Sequence, residues 1–290
     1  MPTCWRHWLM TDTDNRCDQW LARAARLIDG DSPKLDSELL LSHVTGWSRT
    51  SFRAWPERRL TPEDIAAFQK LVNQRVAGAP IAHLLGKQEF WSLPLLVDAS
   101  TLIPRPDTEC LVEAALALPL PEDARVLDLG TGTGAIALAL ASERPGWSVT
   151  ATDAHESALE LAASNAAALG LKVHLLHSDW FGQLKPEKYH LIVSNPPYVA
   201  RADVHLQQGD VRYEPQRALV SGQDGLDDIR HIVTAAPGWL CPQGLLMLEH
   251  GYDQGEQVRE VFRCAGFAKV ETRRDYGQRE RFTMGCWESP

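Results

Sequence analysis

Short apolar runs that predict β-strands alternate with longer segments that predict helices from Ala124 to the end of the chain. Five predicted strands lie at residues 126–129, 149–152, 173–176, 191–193 and 245–248, and the predicted helices include 135–143, 155–169 and 255–265. Buried apolar strands that alternate with helices form a parallel, doubly wound sheet. Two closing strands, near 268–272 and 281–286, have no long helix between them, which predicts a terminal antiparallel hairpin. The predicted fold class is therefore α/β, with a Rossmann-like seven-stranded sheet.

The part of the chain before Ala124 does not alternate between strands and helices. Residues 15–85 predict helices, because apolar residues recur there at helical spacing and glycines follow the periodic segments. Thr61 and Pro62, followed by two acidic residues, are typical of a helix start. The sequence therefore predicts a small helical domain.

Between residues 90 and 103 the pattern changes to a short extended linker or hairpin, which Pro94 and Pro104 interrupt. We place the domain boundary in this stretch. The predicted division is a helical domain at residues 1–88, a β-hairpin linker at residues 89–104 and the α/β domain at residues 105–290.

A glycine-rich loop, Gly130-Thr131-Gly132-Thr133-Gly134, follows the first strand of the α/β region and precedes its first helix. Glycines in this place let the backbone approach a ligand without obstruction by side chains. Dinucleotide-binding loops carry the fingerprint GxGxxG, whereas this loop reads GxGxG. The spacing favours S-adenosylmethionine, which has no pyrophosphate and needs the backbone against its amino-acid arm. A plain tight turn is the alternative for the loop taken alone.

Acidic residues at the ends of the next two strands extend the candidate cofactor site. Asp153 lies 19 residues after Gly134, where a carboxylate accepts hydrogen bonds from ribose hydroxyls. Its alternative role is to cap the helix that begins near Ala154. Asp179 and Trp180 follow the third strand, where we expect the aspartate to accept a hydrogen bond from the adenine amine and the tryptophan to cover the ring. The alternative for this pair is a surface aspartate and a core tryptophan.

The motif Asn195-Pro196-Pro197-Tyr198 closes the fourth strand. Two consecutive prolines cannot join the hydrogen-bond ladder, so the strand ends at the sheet edge where α/β proteins bind ligands. The Asn195 side-chain oxygen and the Pro196 carbonyl can each accept one N–H bond, and the Tyr198 ring can pack on a flat group. The motif predicts methylation of a planar amide or amine nitrogen, and the alternative is a plain strand-ending turn. We expect catalysis by Asn195, Pro196 and Tyr198, and substrate contacts from Asn195, Pro196, Pro197 and Tyr198.

The composition limits the classes of partner. Lysine and arginine number 29 against 38 acidic residues, a formal net charge of −9, whereas nucleic-acid-binding proteins usually carry a basic surface. The six cysteines are scattered and none pairs as CxxC, so we expect neither disulfides nor a metal site. No apolar run approaches the roughly 20 residues of a membrane span, and residues 1–8 lack the apolar core of a signal peptide. We therefore expect a cytoplasmic protein, and a monomer because no heptad pattern is present.

These motifs resemble those of a known family. An NPPY motif after a GxGxG loop resembles the methyltransferases that act on amino groups of DNA adenine, ribosomal-RNA guanine and protein glutamine. Further segments are similar to the release factor glutamine N5-methyltransferases, the PrmC/HemK family, and they lie at residues 75–86, 89–90, 103–109, 205–212, 214–215, 218–219 and 249–251. The resemblance runs from about residue 15 to the end of the chain. One departure is His83, where the family commonly has tyrosine.

The resemblance implies a helical N-terminal domain that helps to bind a release factor, followed by a β-hairpin and an S-adenosylmethionine-dependent methyltransferase domain. It implies that the substrate is the glutamine of the Gly-Gly-Gln motif of class-one peptide chain release factors. Residues 105–109 would line the entrance near the cofactor. The implied contacts are residues 130–134, Asp153, Trp180 and Asn195 for the cofactor, and residues 195–198 for the glutamine.

Three alternatives stay open on the sequence alone. An enzyme that methylates a ribosomal-protein glutamine shares the NPPY motif, although residues 205–212 favour the release factor. A DNA adenine or RNA guanine methyltransferase has nearly the same site chemistry, but the acidic net charge argues against it. The intact glycine loop and Asn195 argue against a protein that keeps the fold for binding alone. The first nine residues are unusual for the family, and we expect Met10 to be the natural start.

Overall fold

The structure is a computed structural model that describes residues 15–288, so the expected start at Met10 lies outside the described residues. The chain forms two compact units that divide after Gly86. The segment Gln207–Tyr213 belongs to the first unit, although its chain neighbours on both sides belong to the second. The boundaries that the sequence predicts, at residues 88 and 104, stay a prediction. Among the described residues, no helix is long and apolar enough to cross a membrane.

The first unit is built from helices. They are α1 Cys17–Leu27, α2 Pro33–Thr45, α3 Arg49–Ala54, α4 Pro62–Val76 and α5 Ile81–Leu85. Leu40 of α2 and Phe68 of α4 are fully buried in their shared core. The predicted helix start at Thr61 is a capping box, because the Thr61 hydroxyl accepts from the Asp64 amide and the Asp64 carboxylate accepts from the Thr61 amide.

The segment Gln207–Tyr213 is held within the helical unit by polar contacts. Arg75 Nη1 donates to Asp210 Oδ1 at 2.7 Å, while Arg75 Nε donates to Asp36 Oδ2 at 2.8 Å. The Tyr213 hydroxyl donates to the backbone carbonyl that follows α4. One arginine thus joins a carboxylate of α2 to a carboxylate of this segment, which makes the segment part of the folded helical unit.

The second unit begins with a hairpin. β1 Lys87–Phe90 and β2 Leu93–Leu96 are antiparallel. Trp91 and Ser92 at the turn have φ angles of 53° and 58°. Two consecutive residues with positive φ are typical of a type I′ turn, whose twist matches that of the flanking strands.

Pro94 does not interrupt this hairpin, so that sequence prediction was wrong. The proline lies inside β2, opposite Glu89 of β1. Both strands of a two-stranded sheet are edge strands, and an edge strand accepts a proline because its missing N–H can face away from the partner strand.

The main sheet of the second unit has seven strands. They are β3 Arg125–Leu129, β4 Ser148–Asp153, β5 His174–His177, β6 Tyr189–Ser194, β7 Leu240–Glu249, β8 Ala268–Arg274 and β9 Glu280–Trp287. The order is β5-β4-β3-β6-β7-β9-β8. Strands β3 to β7 are parallel, whereas β9 is antiparallel to both β7 and β8. The predicted Rossmann-like sheet with a terminal antiparallel hairpin is confirmed, and its chain order reverses between β3 and β6, where open α/β sheets bind ligands.

Helices cover both faces of this sheet. They are α6 Glu109–Leu116, α7 Ala135–Glu143, α8 Glu156–Leu169, α9 Asp227–Ala235 and α10 Gly255–Cys264. Leu111 of α6 and Leu138 of α7 share one apolar core, whereas Ile229 of α9 and Phe262 of α10 share another. The sequence pattern predicts α7, α8 and α10 but not α6 or α9.

Candidate active site

The glycine loop, residues Gly130–Gly134, joins β3 to α7. Its three glycines have φ angles of 67°, 55° and 84°, a left-handed conformation that residues with side chains rarely adopt. A Cβ atom on Gly134 would lie 2.9 Å from Cδ1 of Leu138. The GxGxG pattern is therefore a requirement of the backbone path and, at its last position, of packing.

Hydrogen bonds to neighbouring strands fix the glycine loop. The Thr131 amide donates to the Thr152 carbonyl at 2.8 Å, and the Gly132 amide donates to Asp153 Oδ2 at 3.0 Å. The Thr131 hydroxyl donates to Asp128 Oδ2 at 2.6 Å. Burial raises the pKa of Asp128 to about 7, although the hydrogen bond from Thr131 lowers it. All these partners belong to β3 or β4, so the loop is held by its immediate surroundings.

Asp153 lines the candidate cavity and also accepts hydrogen bonds from nearby backbone amides. Besides the bond from Gly132, its Oδ1 accepts from the His155 amide at 2.9 Å, just before α8. The N-cap of α8 is His155 and has no side-chain cap, so this bond fixes the turn before the helix and Asp153 is not its cap. Each carboxylate oxygen has a second acceptor site, so the side chain keeps capacity for a ligand hydroxyl. Its contact with a ribose stays a prediction.

Asp179 and Trp180 follow β5, and both line the cavity. Asp179 is exposed. Trp180 packs on the apolar cluster of α9 and α10, and a Cβ atom on Gly130 would lie 3.4 Å from its ring. Asp179 thus matches the surface alternative, whereas Trp180 is only partly buried against the apolar core. Because both residues line the cavity, the adenine contact stays a prediction.

Asn195 follows β6 and lines the same cavity. The hydroxyl of Ser194 donates to the Leu129 carbonyl at 2.6 Å, which ties the end of β6 to the end of β3. Asn195 Nδ2 donates to the Thr108 hydroxyl at 3.3 Å. Asn195 Oδ1 is buried and accepts no hydrogen bond from the described residues. An unpaired buried acceptor costs roughly 1–3 kcal/mol, so this oxygen marks a place for a ligand that brings an N–H group.

Residues Asn195–Tyr198 form the asparagine turn, and its last three side chains differ in whether they line the cavity. Pro197 lines the cavity, whereas Pro196 is buried and is not a lining residue. Tyr198 is not a lining residue either. Its hydroxyl donates to Glu249 Oε1 at 3.3 Å, and burial together with the Glu249 carboxylate raises the pKa of Tyr198. The predicted contact of this ring with a flat substrate group stays a prediction.

A cavity of about 250 Å³ lies where the glycine loop and the asparagine turn meet. It brings together most of the site residues that the sequence predicts. Gly134, Pro196 and Tyr198 lie outside its lining. The predicted residues that do line it are Gly130, Thr131, Gly132, Thr133, Asp153, Asp179, Trp180, Asn195 and Pro197.

Ser100, Arg105 and Arg217 also line the cavity, although the chemistry of the motifs did not assign them. The buried Glu214 carboxylate accepts from the Ile103 amide at 3.1 Å and pairs with Arg105. Arg217 Nη2 donates to the Ser100 carbonyl at 2.9 Å. These contacts hold two segments together beside the cavity. Of residues 105–109, which the resemblance places at the entrance near the cofactor, Arg105 and Thr108 line the cavity. The pair with Glu214 holds Arg105 there, and the nearness of the segment to the cofactor stays a prediction.

The lining suits S-adenosylmethionine. Left-handed glycines expose a stretch of backbone, Asp153 and Asp179 offer acceptors, and Trp180 offers a ring face. The unpaired Asn195 oxygen adds an acceptor for a second ligand beside it. Among residues 15–288, no group of three His, Cys, Asp or Glu side chains could hold a metal ion.

Comparisons with known proteins define the class of this fold and site. Residues 107–211 match the methyltransferase small domain, and residues 19–86 match the PrmC N-terminal domain. A methyltransferase from Pyrococcus furiosus has a similar fold, with a TM-score of 0.52 at 18% identity, over 67% of this chain and 88% of that chain. The chain is a methyltransferase with a Rossmann-like catalytic domain.

Curated relatives narrow this class. The release factor glutamine methyltransferase of Shigella dysenteriae serotype 1 is 53% identical, over 92% of this chain and 97% of the relative. The protein of the same name from Pseudomonas aeruginosa is also 53% identical over the same shares. The chain belongs to the family of release factor glutamine methyltransferases, as its motifs predicted.

Proposed function

We propose that this protein transfers a methyl group from S-adenosylmethionine to the side-chain amide nitrogen, N5, of the glutamine in the Gly-Gly-Gln motif of class-one peptide chain release factors. It would then act in translation termination, in the cytoplasm. The names of its relatives support the substrate. The observation that carries the chemistry is the buried, unpaired Asn195 oxygen on a cavity that the glycine loop also lines.

We assign the cofactor to the glycine-loop side of the cavity. The loop backbone holds the amino-acid arm, Asp153 the ribose, and Asp179 and Trp180 the adenine, with Asn195 beside the reacting end. When bound, S-adenosylmethionine supplies an electrophilic methyl group on a sulfonium. The cofactor residues in this proposal are Gly130, Thr131, Gly132, Thr133, Gly134, Asp153, Asp179, Trp180 and Asn195.

The glutamine side chain binds at the asparagine turn. A carboxamide brings two N–H donors, and we assign one to Asn195 Oδ1 and the other to the Pro196 carbonyl. The amide nitrogen is a poor nucleophile because its lone pair is delocalised into the carbonyl. Acceptors that hold both hydrogens favour the pyramidal nitrogen of the transition state over the planar ground state. The nitrogen would gain the methyl group as the bond from sulfur to that group breaks, and the methylated amide, which is then very acidic, would lose one hydrogen as a proton. Pro197 and the Tyr198 ring border the amide, and proximity supplies much of the rate.

The orientation of Asn195 favours a nitrogen substrate. Its Nδ2 is taken by the Thr108 hydroxyl, so the oxygen is the atom left for the substrate. A substrate carboxylate has no hydrogen to offer and would leave this buried acceptor unpaired. A carboxamide satisfies it.

We further propose that the protein acts as a monomer, that its helical unit helps to bind the release factor, and that it needs no nucleic acid. The acidic net charge supports the last point, because phosphate contacts supply most of the affinity of nucleic-acid-binding proteins.

Labelling separates the candidate substrates. The protein is incubated with methyl-labelled S-adenosylmethionine and, in separate reactions, a class-one release factor, ribosomal proteins and DNA. We expect label in the release factor alone, and none in a release factor whose Gly-Gly-Gln glutamine is replaced by alanine. Label in DNA or in a ribosomal protein in place of the release factor would overturn the proposal.

A further inference from the structure

Glu249 is a buried carboxyl group next to the asparagine turn that the proposed chemistry does not use. It is the last residue of β7, whose Leu248 pairs with Ser194 at the end of β6. Glu249 is 1% exposed and does not line the cavity. It therefore acts on other residues and not on the substrate.

Glu249 holds the last residue of the asparagine turn by a hydrogen bond, and its second oxygen is still open. The Tyr198 hydroxyl donates to Glu249 Oε1 at 3.3 Å. The Thr108 hydroxyl is the neighbour that most lowers the pKa of Glu249, and it accepts from Asn195 Nδ2 at 3.3 Å. Glu249 Oε2 is buried and accepts no hydrogen bond from the described residues, so it is an open acceptor to which the Thr108 hydroxyl can donate.

The protons of this network decide which way the Asn195 amide faces. A hydroxyl has one proton to donate. Thr108 can give it to Glu249, or it can give it to Asn195 Oδ1 if the amide is flipped. Hydrogen bonds to an ionised acceptor are roughly twice as strong as neutral ones, so an ionised Glu249 draws the Thr108 proton. Asn195 Nδ2 then occupies Thr108, and Oδ1 stays free.

We propose that Glu249 is a positioning residue that orients the Asn195 side chain through Thr108 and anchors Tyr198. The inference rests on the proposed function, because it explains how the same turn presents its acceptor to the substrate amide. A protonated Glu249 would donate a proton and no longer only accept, which releases Thr108 to bond with Asn195 Oδ1.

The charge of Glu249 changes near neutral pH. Burial raises its pKa to about 7, while Thr108, Arg281 and Tyr198 lower it and Asp107 raises it. Activity that depends on the ionised form should therefore fall as the pH drops through about 7.

Arg281 and Cys110, which lie near Glu249, keep their protonation states near pH 7. Arg281 pairs with Asp275 at 2.9 Å and with Asp107 at 3.1 Å, and hydrogen bonding to Asp275 raises its pKa against the effect of burial. Burial and the Glu249 charge raise the pKa of the Cys110 thiol to about 12. Neither the guanidinium nor the thiol changes charge near neutral pH.

The test compares Glu249→Gln with Asp275→Asn in methyl transfer to a class-one release factor. Asp275 is the matched control, because it is another buried carboxylate beside Arg281 and has no contact with Thr108 or Tyr198. We expect Glu249→Gln to lower kcat by about 10- to 100-fold, with the Kd of S-adenosylmethionine within about threefold of wild type. Asp275→Asn should keep kcat within about threefold.

The pH profile gives a readout that a purely structural role would not move. Wild type and Asp275→Asn should lose kcat below about pH 7, whereas the residual kcat of Glu249→Gln should be flat across this range. A wild-type kcat in Glu249→Gln, or an acid limb that survives in it, would overturn the inference.

A second pair of variants covers the case in which Glu249→Gln does not fold. Thr108→Ser keeps the hydroxyl and should keep kcat within about threefold, whereas Thr108→Val should lower kcat by about 10- to 100-fold. Equal kcat values for Thr108→Ser and Thr108→Val would refute the proposal that Thr108 transmits the effect of Glu249 to Asn195. If wild type labels no release factor at all, the proposed function has failed. If wild type is active and these variants match it, only the role of Glu249 has failed.

Discussion

The glycine loop and the asparagine turn lie at the same edge of the sheet but are held in different ways. The loop takes its shape from left-handed glycines and from hydrogen bonds to the ends of β3 and β4. The turn takes its shape from two prolines and from side chains that the fold brings from distant positions, which are Thr108, Glu249 and Gln254.

Both regions contact a buried carboxyl group with a pKa raised to about 7. The two groups differ in how far along the chain their hydrogen-bond donors lie. Asp128 accepts from Thr131, its neighbour three positions along the chain. Glu249 accepts from Tyr198, 51 positions away. The loop is therefore encoded locally, and the turn by tertiary structure. Changes in the loop should act on cofactor binding, and changes around the turn should act on the methyl-transfer step.

The largest expected effect is that of Asn195→Ala. Loss of the substrate acceptor should lower kcat on the order of 10²- to 10³-fold. The Kd of S-adenosylmethionine should rise by less than about 10-fold, because the other assigned cofactor residues remain. Gln257→Ala, at an exposed amide on α10, is the control and should behave as wild type. Methyl-transfer kinetics and calorimetry measure the two quantities. If Asn195→Ala lost cofactor affinity and kcat equally, the turn would not act mainly on the methyl-transfer step.

Gly130→Ala should affect the opposite quantity. Gly130 has φ 67°, and a Cβ atom there would meet the Trp180 ring at 3.4 Å; Gly170, at the end of α8, has φ 66° and open space. Both alanine variants should lose about 1–2 kcal/mol of unfolding free energy, because both force alanine into a left-handed conformation. Only Gly130→Ala should also weaken S-adenosylmethionine binding, by about 10-fold. Chemical denaturation and calorimetry check this, and equal cofactor affinity in the two variants would count against the loop assignment.

Gln254→Glu should produce a smaller change at the turn. Gln254 Nε2 donates to the Tyr198 carbonyl at 2.9 Å, while its Oε1 accepts from the Gly251 amide at 2.8 Å. The substitution keeps the acceptor and removes the donor, so kcat should fall about fivefold, with cofactor affinity unchanged. The same substitution at exposed Gln257 of α10 is the control. Loss of cofactor affinity in Gln254→Glu would show that the turn also shapes the cofactor side.

The smallest expected effect concerns the pH dependence of stability. Burial raises the folded-state pKa of Asp128 to about 7 from its ordinary value of 3.8. Its contribution to the free energy of unfolding is therefore fully present below about pH 4 and is lost as the pH rises through about 7. Asp128→Asn should flatten this decline in urea denaturation at several pH values, without moving the pH profile of kcat. Parallel stability profiles for wild type and Asp128→Asn would show that Asp128 does not titrate in this way.

Much of the fold was predictable because it depends on local patterns. Apolar runs placed the strands of the parallel sheet, and the glycine loop was readable because its backbone path demands glycine at three positions. Pro94 was misread, because the sequence does not show that β2 pairs with one strand only. Helices α6 and α9 were missed, although α6 carries Thr108 at its start and so contributes to the site.

The orientation of the Tyr198 side chain could not be predicted from the sequence. The sequence places its ring after a strand, where a ligand contact is the natural expectation. The structure turns the hydroxyl toward Glu249, a partner that only the placement of β7 beside β6 supplies. The orientation of the Asn195 amide has the same origin, because Thr108 reaches it from another part of the chain.

The position of the transferred methyl group decides whether Asn195 directs methylation to a glutamine amide. A class-one release factor is incubated with the protein and S-adenosylmethionine, digested, and examined by fragment mass spectrometry. We expect one methyl group on the side-chain amide of the Gly-Gly-Gln glutamine, and none when Asn195→Ala replaces wild type. A methyl group on any other residue, or an undiminished signal from Asn195→Ala, would contradict this expectation.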